Sequence, residues 1–187
     1  MRHDPARRAL LARAVLLAGV GALPLGCREC GRTEGAEHAL TLDRRSWQSL
    51  ELATSRILPT DDLPGAREAN VIGFIDRQLA LPHLAVFKTE VLMGVGVLDA
   101  LTRARFERDF ADVGDGERDQ VLTALAAGDG TMSGFSAAHF FDVLFTLTLE
   151  GAFSDPVHGG NRDQAGWTLL GYVPDGPRPG GHEHSHG

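Results

Sequence analysis

Between Gly134 and Phe153 the chain reads GFSAAHFFDVLFTLTLEGAF. Wound into a helix, this run is apolar on nearly every side, and it is far too long for a single buried strand. A helix of that kind must be covered all round. In a chain of 187 residues, which allows one domain with a real core, the run is therefore either the central helix or a helix with one side covered by another chain. The pattern predicts this helix from Ser133 to about Gly151, with Phe140, Phe141 and Phe145 among its large side chains. His139 and Asp142, three apart on it, are expected to form a hydrogen-bonded pair within the core rather than a catalytic dyad.

Four more helical stripes precede it, and nothing reads as a strand. Asp43 to Leu58 places Trp47, Leu50, Thr54 and Ile57 on one face. Pro59 and the PTDDLPG cluster end it. Pro64 then opens a second helix over GAREANVIGFIDRQLAL, with Ile72, Ile75 and Leu79 inward. Pro82 restarts a third to about Asp112, using Leu84, Phe87, Val91, Val95 and Leu98. Gly94 and Gly96 interrupt it where another helix could approach closely. Asp115 is positioned to cap a fourth over GERDQVLTALAAGD, with Val121, Leu122 and Leu125 inward. The fold class is thus all-α: a single helical domain of about five helices, residues 42–177, with an irregular C-terminal segment packed on it.

The first residues have a different character. ARRALLARAVLLAGVGALPLGC sets Arg7 and Arg8 ahead of a mild apolar run that ends in small residues, the order of an export signal over residues 1–26. The paired arginines followed by x-Leu-Leu resemble a twin-arginine signal, and Arg13 and Pro24 break the run as a membrane span. Residues 27–41 form a polar tether, which opens on Cys27 and Cys30 in C-R-E-C. Cys27 is a candidate for lipidation or for a disulfide with Cys30, and two thiols do not complete a zinc site. The expected location is periplasmic, with attachment to the membrane through Cys27 or through a complex. The formal charge of −7 is +3 over residues 1–26 and −10 over the rest. That acidic body excludes nucleic acid and anionic lipid surfaces as natural partners.

The last 35 residues, from Phe153, show no helical or strand period. Segments of that kind in compact domains are functional or disordered. Arg178 to Gly187 is expected to be a mobile tail, and its His182, His184 and His186 make a tract able to hold a soft metal weakly. A free-standing exported lipoprotein that handles metal through this tail is the alternative functional reading. Ser154 to Trp167, SDPVHGGNRDQAGW, is richer. Asp155, His158 and Asp163 offer acid, base or ligand chemistry, but their spacing is unspecific and no second cluster completes a site. A binding loop suits the residues better. Gly159 and Gly160 permit sharp turns, and Asn161 tolerates positive φ and bonds its own backbone. Arg162, Trp167 and Tyr172 belong to the types that dominate interface energies. Trp167 either fills a groove between the chain's own helices or docks on a partner.

SRILPTDDLPGAREANVIGFIDRQLA (55–80) and TLEGAFSDPVHGGNRDQAGWTLLGY (148–172) resemble the two signature regions of the gluconate 2-dehydrogenase subunit 3 family. The Pro-Gly-Ala-Arg-Glu-Ala run with Phe-Ile-Asp, and Gly-Gly-Asn followed by Gly-Trp and Gly-Tyr, carry the likeness, which extends from about Leu42 to Val173. The resemblance implies a non-catalytic helical subunit with no cofactor of its own. It would accompany a large FAD-containing dehydrogenase subunit, often with a multihaem cytochrome c, and take the flavoprotein to the twin-arginine export machinery. It implies no catalytic residue here. The expected partner-binding faces are the fifth helix, through Phe140, Phe141 and Phe145, and the loop, through Gly159, Gly160, Asn161, Arg162, Trp167 and Tyr172.

Overall fold

The computed structural model describes residues 39–174, and six α-helices carry that stretch. They are α1 (Arg44–Ile57), α2 (Val71–Leu79), α3 (Ala85–Phe106), α4 (Asp115–Ala126), α5 (Ala137–Phe153) and α6 (Ala165–Leu170). Among the described residues there is no strand, only an isolated bridge between Met132 and Phe135. None of their helices is long and apolar enough to cross a membrane. The expectations for Arg7, Arg8, Cys27, Cys30 and the histidines at 182, 184 and 186 lie outside the described residues.

The apolar run makes the hub. Helix α5 touches α1, α2, α3, α4 and α6, and its stripe of Ala137, Phe140, Leu144, Thr148, Gly151 and Ala152 is buried. It meets α3 at one especially close point, where a Cβ at Gly94 would overlap the Phe140 ring. Only glycine lets the two backbones come that close. Gly96, by contrast, has nothing within 4 Å of its would-be Cβ. One of the two glycines marks the approach of a second helix, and the other faces solvent.

Two buried carboxylates stitch the helices to the intervening chain. On α2, Asp76 accepts the backbone N–H groups of Leu40, Thr41 and Leu42 at 2.6, 2.9 and 2.9 Å. On α3, Asp99 accepts from Arg45 Nε of α1 at 2.9 Å and from the Phe110 N–H at 3.1 Å. Buried charge is tolerated because several donors converge on each one.

Helix ends depart from the sequence-based expectation, each for a local reason. The second helix starts at Val71, not Gly65, because Asn70 adopts a left-handed φ of 55° and breaks the helical run. The third stops at Phe106, where Glu107 takes φ 55°, and Phe110–Asp112 becomes a 3-10 turn held by Asp99. Its first turns run beyond their neighbours, so Leu84 is half-buried and Phe87 exposed although both lie on the stripe. Gly114, not Asp115, caps α4, and its N–H donates to Glu117 Oε2 at 2.8 Å. Asp115 pairs instead with Arg56 and Arg118. Positive φ at Gly128, Gly130 and Gly134 delays α5 until Ser136, whose Oγ accepts the His139 N–H at 3.3 Å. His139 and Asp142 are both exposed rather than paired in the core, and His139 Nε2 lies 3.5 Å from Glu90 Oε1.

Gly94→Ala should lower stability by about 1–3 kcal/mol through overpacking against Phe140. Gly96→Ala should be neutral or stabilising by up to about 1 kcal/mol. Urea denaturation of the two variants checks the contrast.

Candidate functional site

The C-terminal segment, expected to be irregular, is a series of short turns that seal the end of α5. The last carbonyls of any helix lack partners within the helix. Here Gly151 O accepts the Asn161 N–H at 2.7 Å, and Phe153 O accepts Trp167 Nε1–H at 2.9 Å. Close approach makes two glycines obligatory. A Cβ at Gly160 would run into Gly151 O, and one at Gly166 would run into Ala152 O.

Asn161 organises this cap from within. Its φ of 44° is left-handed, and the residue is 0% exposed. Its Nδ2 donates to Ser154 O at 2.9 Å, and its Oδ1 accepts the Gly166 N–H at 2.9 Å. Its own carbonyl accepts the Gln164 N–H at 2.9 Å. Both faces of the side-chain amide are therefore used, and the turn from Ser154 to Gly166 closes around it. The 3-10 turns Pro156–His158 and Arg162–Gln164 flank it, and α6 follows.

The loop then meets the 65–70 turn, more than eighty residues earlier in the chain. Because Asn70 breaks the helix, Ala69 O is free to accept the Arg162 N–H at 3.1 Å. Arg162 Nη2 donates to Arg67 O at 3.2 Å, and Asn70 Nδ2 donates to Gly159 O at 3.0 Å. Gly159, at φ 93°, lies so close to Arg77 that a side chain would collide with it. The turn is itself braced by Glu68, which accepts from Gly65 N–H at 2.8 Å and Thr60 Oγ1 at 2.6 Å. Partial burial pushes the Glu68 carboxyl up, but these two bonds, its own backbone N–H and the Arg67 charge together hold it below its ordinary value.

The residues singled out from sequence are thus divided. Gly160 and Asn161 are enclosed by the chain itself, and so is Phe140, which has no exposed surface. None of the three presents surface to a partner, so their part is to shape the cap and the core. Arg162 is exposed but spends two donors on the 65–70 turn. Phe141 and Phe145 are half-buried on a shoulder of α5, stacked with ring centroids 6.5 Å apart. Trp167 is half-buried, bonded to the Phe153 carbonyl at the end of α5, and meets Tyr172 edge-on at 5.3 Å. Beyond it, Leu170, Tyr172 and Val173 are 64%, 54% and 75% exposed. Leu170, Tyr172 and Val173 read in sequence as apolar material for the segment to bury, and they stand exposed because no period distinguishes an outward from an inward apolar residue in so short a stretch.

The acid–base trio does not make a site. Asp155 Oδ1 accepts the Val157 N–H at 2.9 Å and caps the turn, while His158 and Asp163 are exposed. Among the described residues no three His, Cys, Asp or Glu side chains converge in a way that would hold a metal ion. The arrangement offers a rigid platform that ends in an apolar strip.

A family model described as "Gluconate 2-dehydrogenase subunit 3" matches residues 44–176. That range takes in both the 65–70 turn and the loop it holds. No curated protein and no solved structure matches the chain.

Asn161→Ala strands the Gly166 N–H and Ser154 C=O, at a cost of roughly 2–4 kcal/mol. Limited proteolysis should then cut within 154–166 far faster than in the parent, at a rate that follows the loss of stability.

Proposed function

The chain belongs to the gluconate 2-dehydrogenase subunit 3 family, and on that premise we propose that it is a non-catalytic accessory subunit that binds a large FAD-containing dehydrogenase subunit. The observation that carries this reading is the contrast within the C-terminal segment. The Asn161 amide and its backbone N–H are turned inward on the chain's own helix end, while Leu170, Tyr172 and Val173 stand in solvent beside a fixed Trp167. Large apolar and aromatic side chains held on a stiff support lose little entropy on binding, which is how interface anchors gain their energy. The chemistry, on this reading, belongs to the flavoprotein, which oxidises a sugar acid or polyol. A cytochrome c subunit would carry the electrons onward.

The same proposal gives the first residues their task. Arg7 and Arg8 form the signal through which the complex, already folded around its flavin, leaves by the twin-arginine route. The complex then resides in the periplasm, held at the membrane through its other subunits or through a lipid on Cys27.

The test is co-expression with a candidate large FAD-containing dehydrogenase subunit from the same source. The two should purify together, with flavin absorbance and with oxidation activity that the small chain lacks on its own. Leu170→Ser with Tyr172→Ala removes exposed side chains only, so the fold should persist while affinity for the flavoprotein drops about tenfold or more. Unchanged affinity would show that the strip is not the grip. With Arg7→Lys and Arg8→Lys, both subunits should stay in the cytoplasm, and normal export of the flavoprotein would sink the carrier role.

A further inference from the structure

A second apolar surface lies along the seam between the start of α3 and the outward side of α5. One depression there has a volume of about 330 Å3, with Leu79, Leu84, Phe87, Val143 and Leu147 among its lining residues. A second depression, lined in part by Val86, Met93 and Phe135, shares His139 with the first. The His139–Glu90 contact therefore lies where the two adjoin. Phe87 is 44% exposed at the first depression, and Val86 and Met93 are exposed at the second. The concave shape of the seam between two helices can receive the apolar face of a partner element.

The charge around it is one-sided. Glu90, Asp142 and Glu150 line the two depressions, and no lysine or arginine does. His139 is the one lining residue able to carry positive charge. A second copy of this chain would bring an equally acidic body, since residues 27–187 carry −10. An anionic lipid surface is disfavoured on the same ground. The seam runs between two helices. Asp142 and Glu150, eight residues apart on α5, stand about 12 Å from one another along its axis. That is the length of roughly two turns of a guest helix.

We propose that this seam receives a helix of the large subunit, apolar on the face it buries and edged with lysine or arginine that reach Asp142 and Glu150. The proposal rests on the accessory-subunit reading and adds to it a second point of attachment, separate in sequence from the Leu170–Val173 strip. Helix-in-groove recognition supplies the geometry, with anchors at i, i+3 or i+4, and i+7 on the apolar floor. The carboxylates set the orientation and quicken the encounter.

The test uses the full chain and the co-expressed flavoprotein subunit. Asp142→Arg with Glu150→Arg reverses two exposed charges, so the thermal melting of the free chain should stay unchanged. The affinity for the flavoprotein should fall about tenfold or more, and the salt dependence of binding should weaken. In a separate variant, a photo-reactive residue at Thr146 should cross-link to a flavoprotein segment that is helical and bears lysine or arginine. If the parent chain binds and the reversed chain binds equally well, the seam is not the docking site, though the accessory-subunit reading stands. If the parent chain does not bind the flavoprotein at all, both fall. Cross-links to a second copy of this chain, or to an acidic segment, would also overturn the proposal.

Discussion

The C-terminal end of α5 is the constraint on which the rest of the architecture turns. A helix apolar on most sides can serve as the hub of a small domain only if its polar ends are satisfied, because unpaired carbonyls inside the protein are costly. The N-terminal end is met locally by Ser136. The far end is met by residues that come later in the chain, Asn161 and Trp167, which give one N–H each to Gly151 O and Phe153 O. Everything unusual about the loop serves this closure. The left-handed residues turn the chain back, the glycines let backbone meet backbone, and the Asn161 amide holds the turn from inside.

A second break makes the first one useful. Had α2 begun at Gly65, the Ala69 carbonyl would have been taken up within the helix. Asn70 at φ 55° leaves it open, and Arg162 takes it. Two asparagines in the same rare backbone region, on segments ninety residues apart, thus act as a matched pair, one exposing acceptors and the other shaping what binds them. The two stretches that looked alike to one family in sequence are in contact in space. Their glycines and asparagines serve this internal joint, and the exposed apolar residues Leu170, Tyr172 and Val173 lie beside it.

Much of the fold was legible because periodicity reports burial along a helix. Ile72, Ile75, Leu79, Val91, Val95, Leu98, Val121, Leu122 and Leu125 are all buried, as their stripes require. The all-α class followed from the same signal, while the central place of the apolar run was one of the two readings that signal left open. Helix ends were less legible, since tertiary partners set them. The bond from Asn70 to Gly159 spans 89 positions, and no local pattern announces it. Phe87 lies on a flawless stripe and is exposed, because periodicity cannot tell where the covering neighbours stop. In the loop, the readiness of Asn161 for positive φ was readable from its chemistry. That it is wholly enclosed was not, and neither was α6, a six-residue helix too short to show a period.

The Asp76 carboxylate has a mechanical meaning. It grips three successive backbone amides, those of Leu40, Thr41 and Leu42, just ahead of α1. Tension applied through the N-terminal end of the chain reaches the folded body at this clasp before it can unwind any helix. The three bonds converge on one side chain anchored in the core, so a pull must break the bond of Leu40 and then those of Thr41 and Leu42 before it reaches α1. A subunit gripped by its leading end would then transmit force to α2, and through α2 to the hub helix, with its folded body intact.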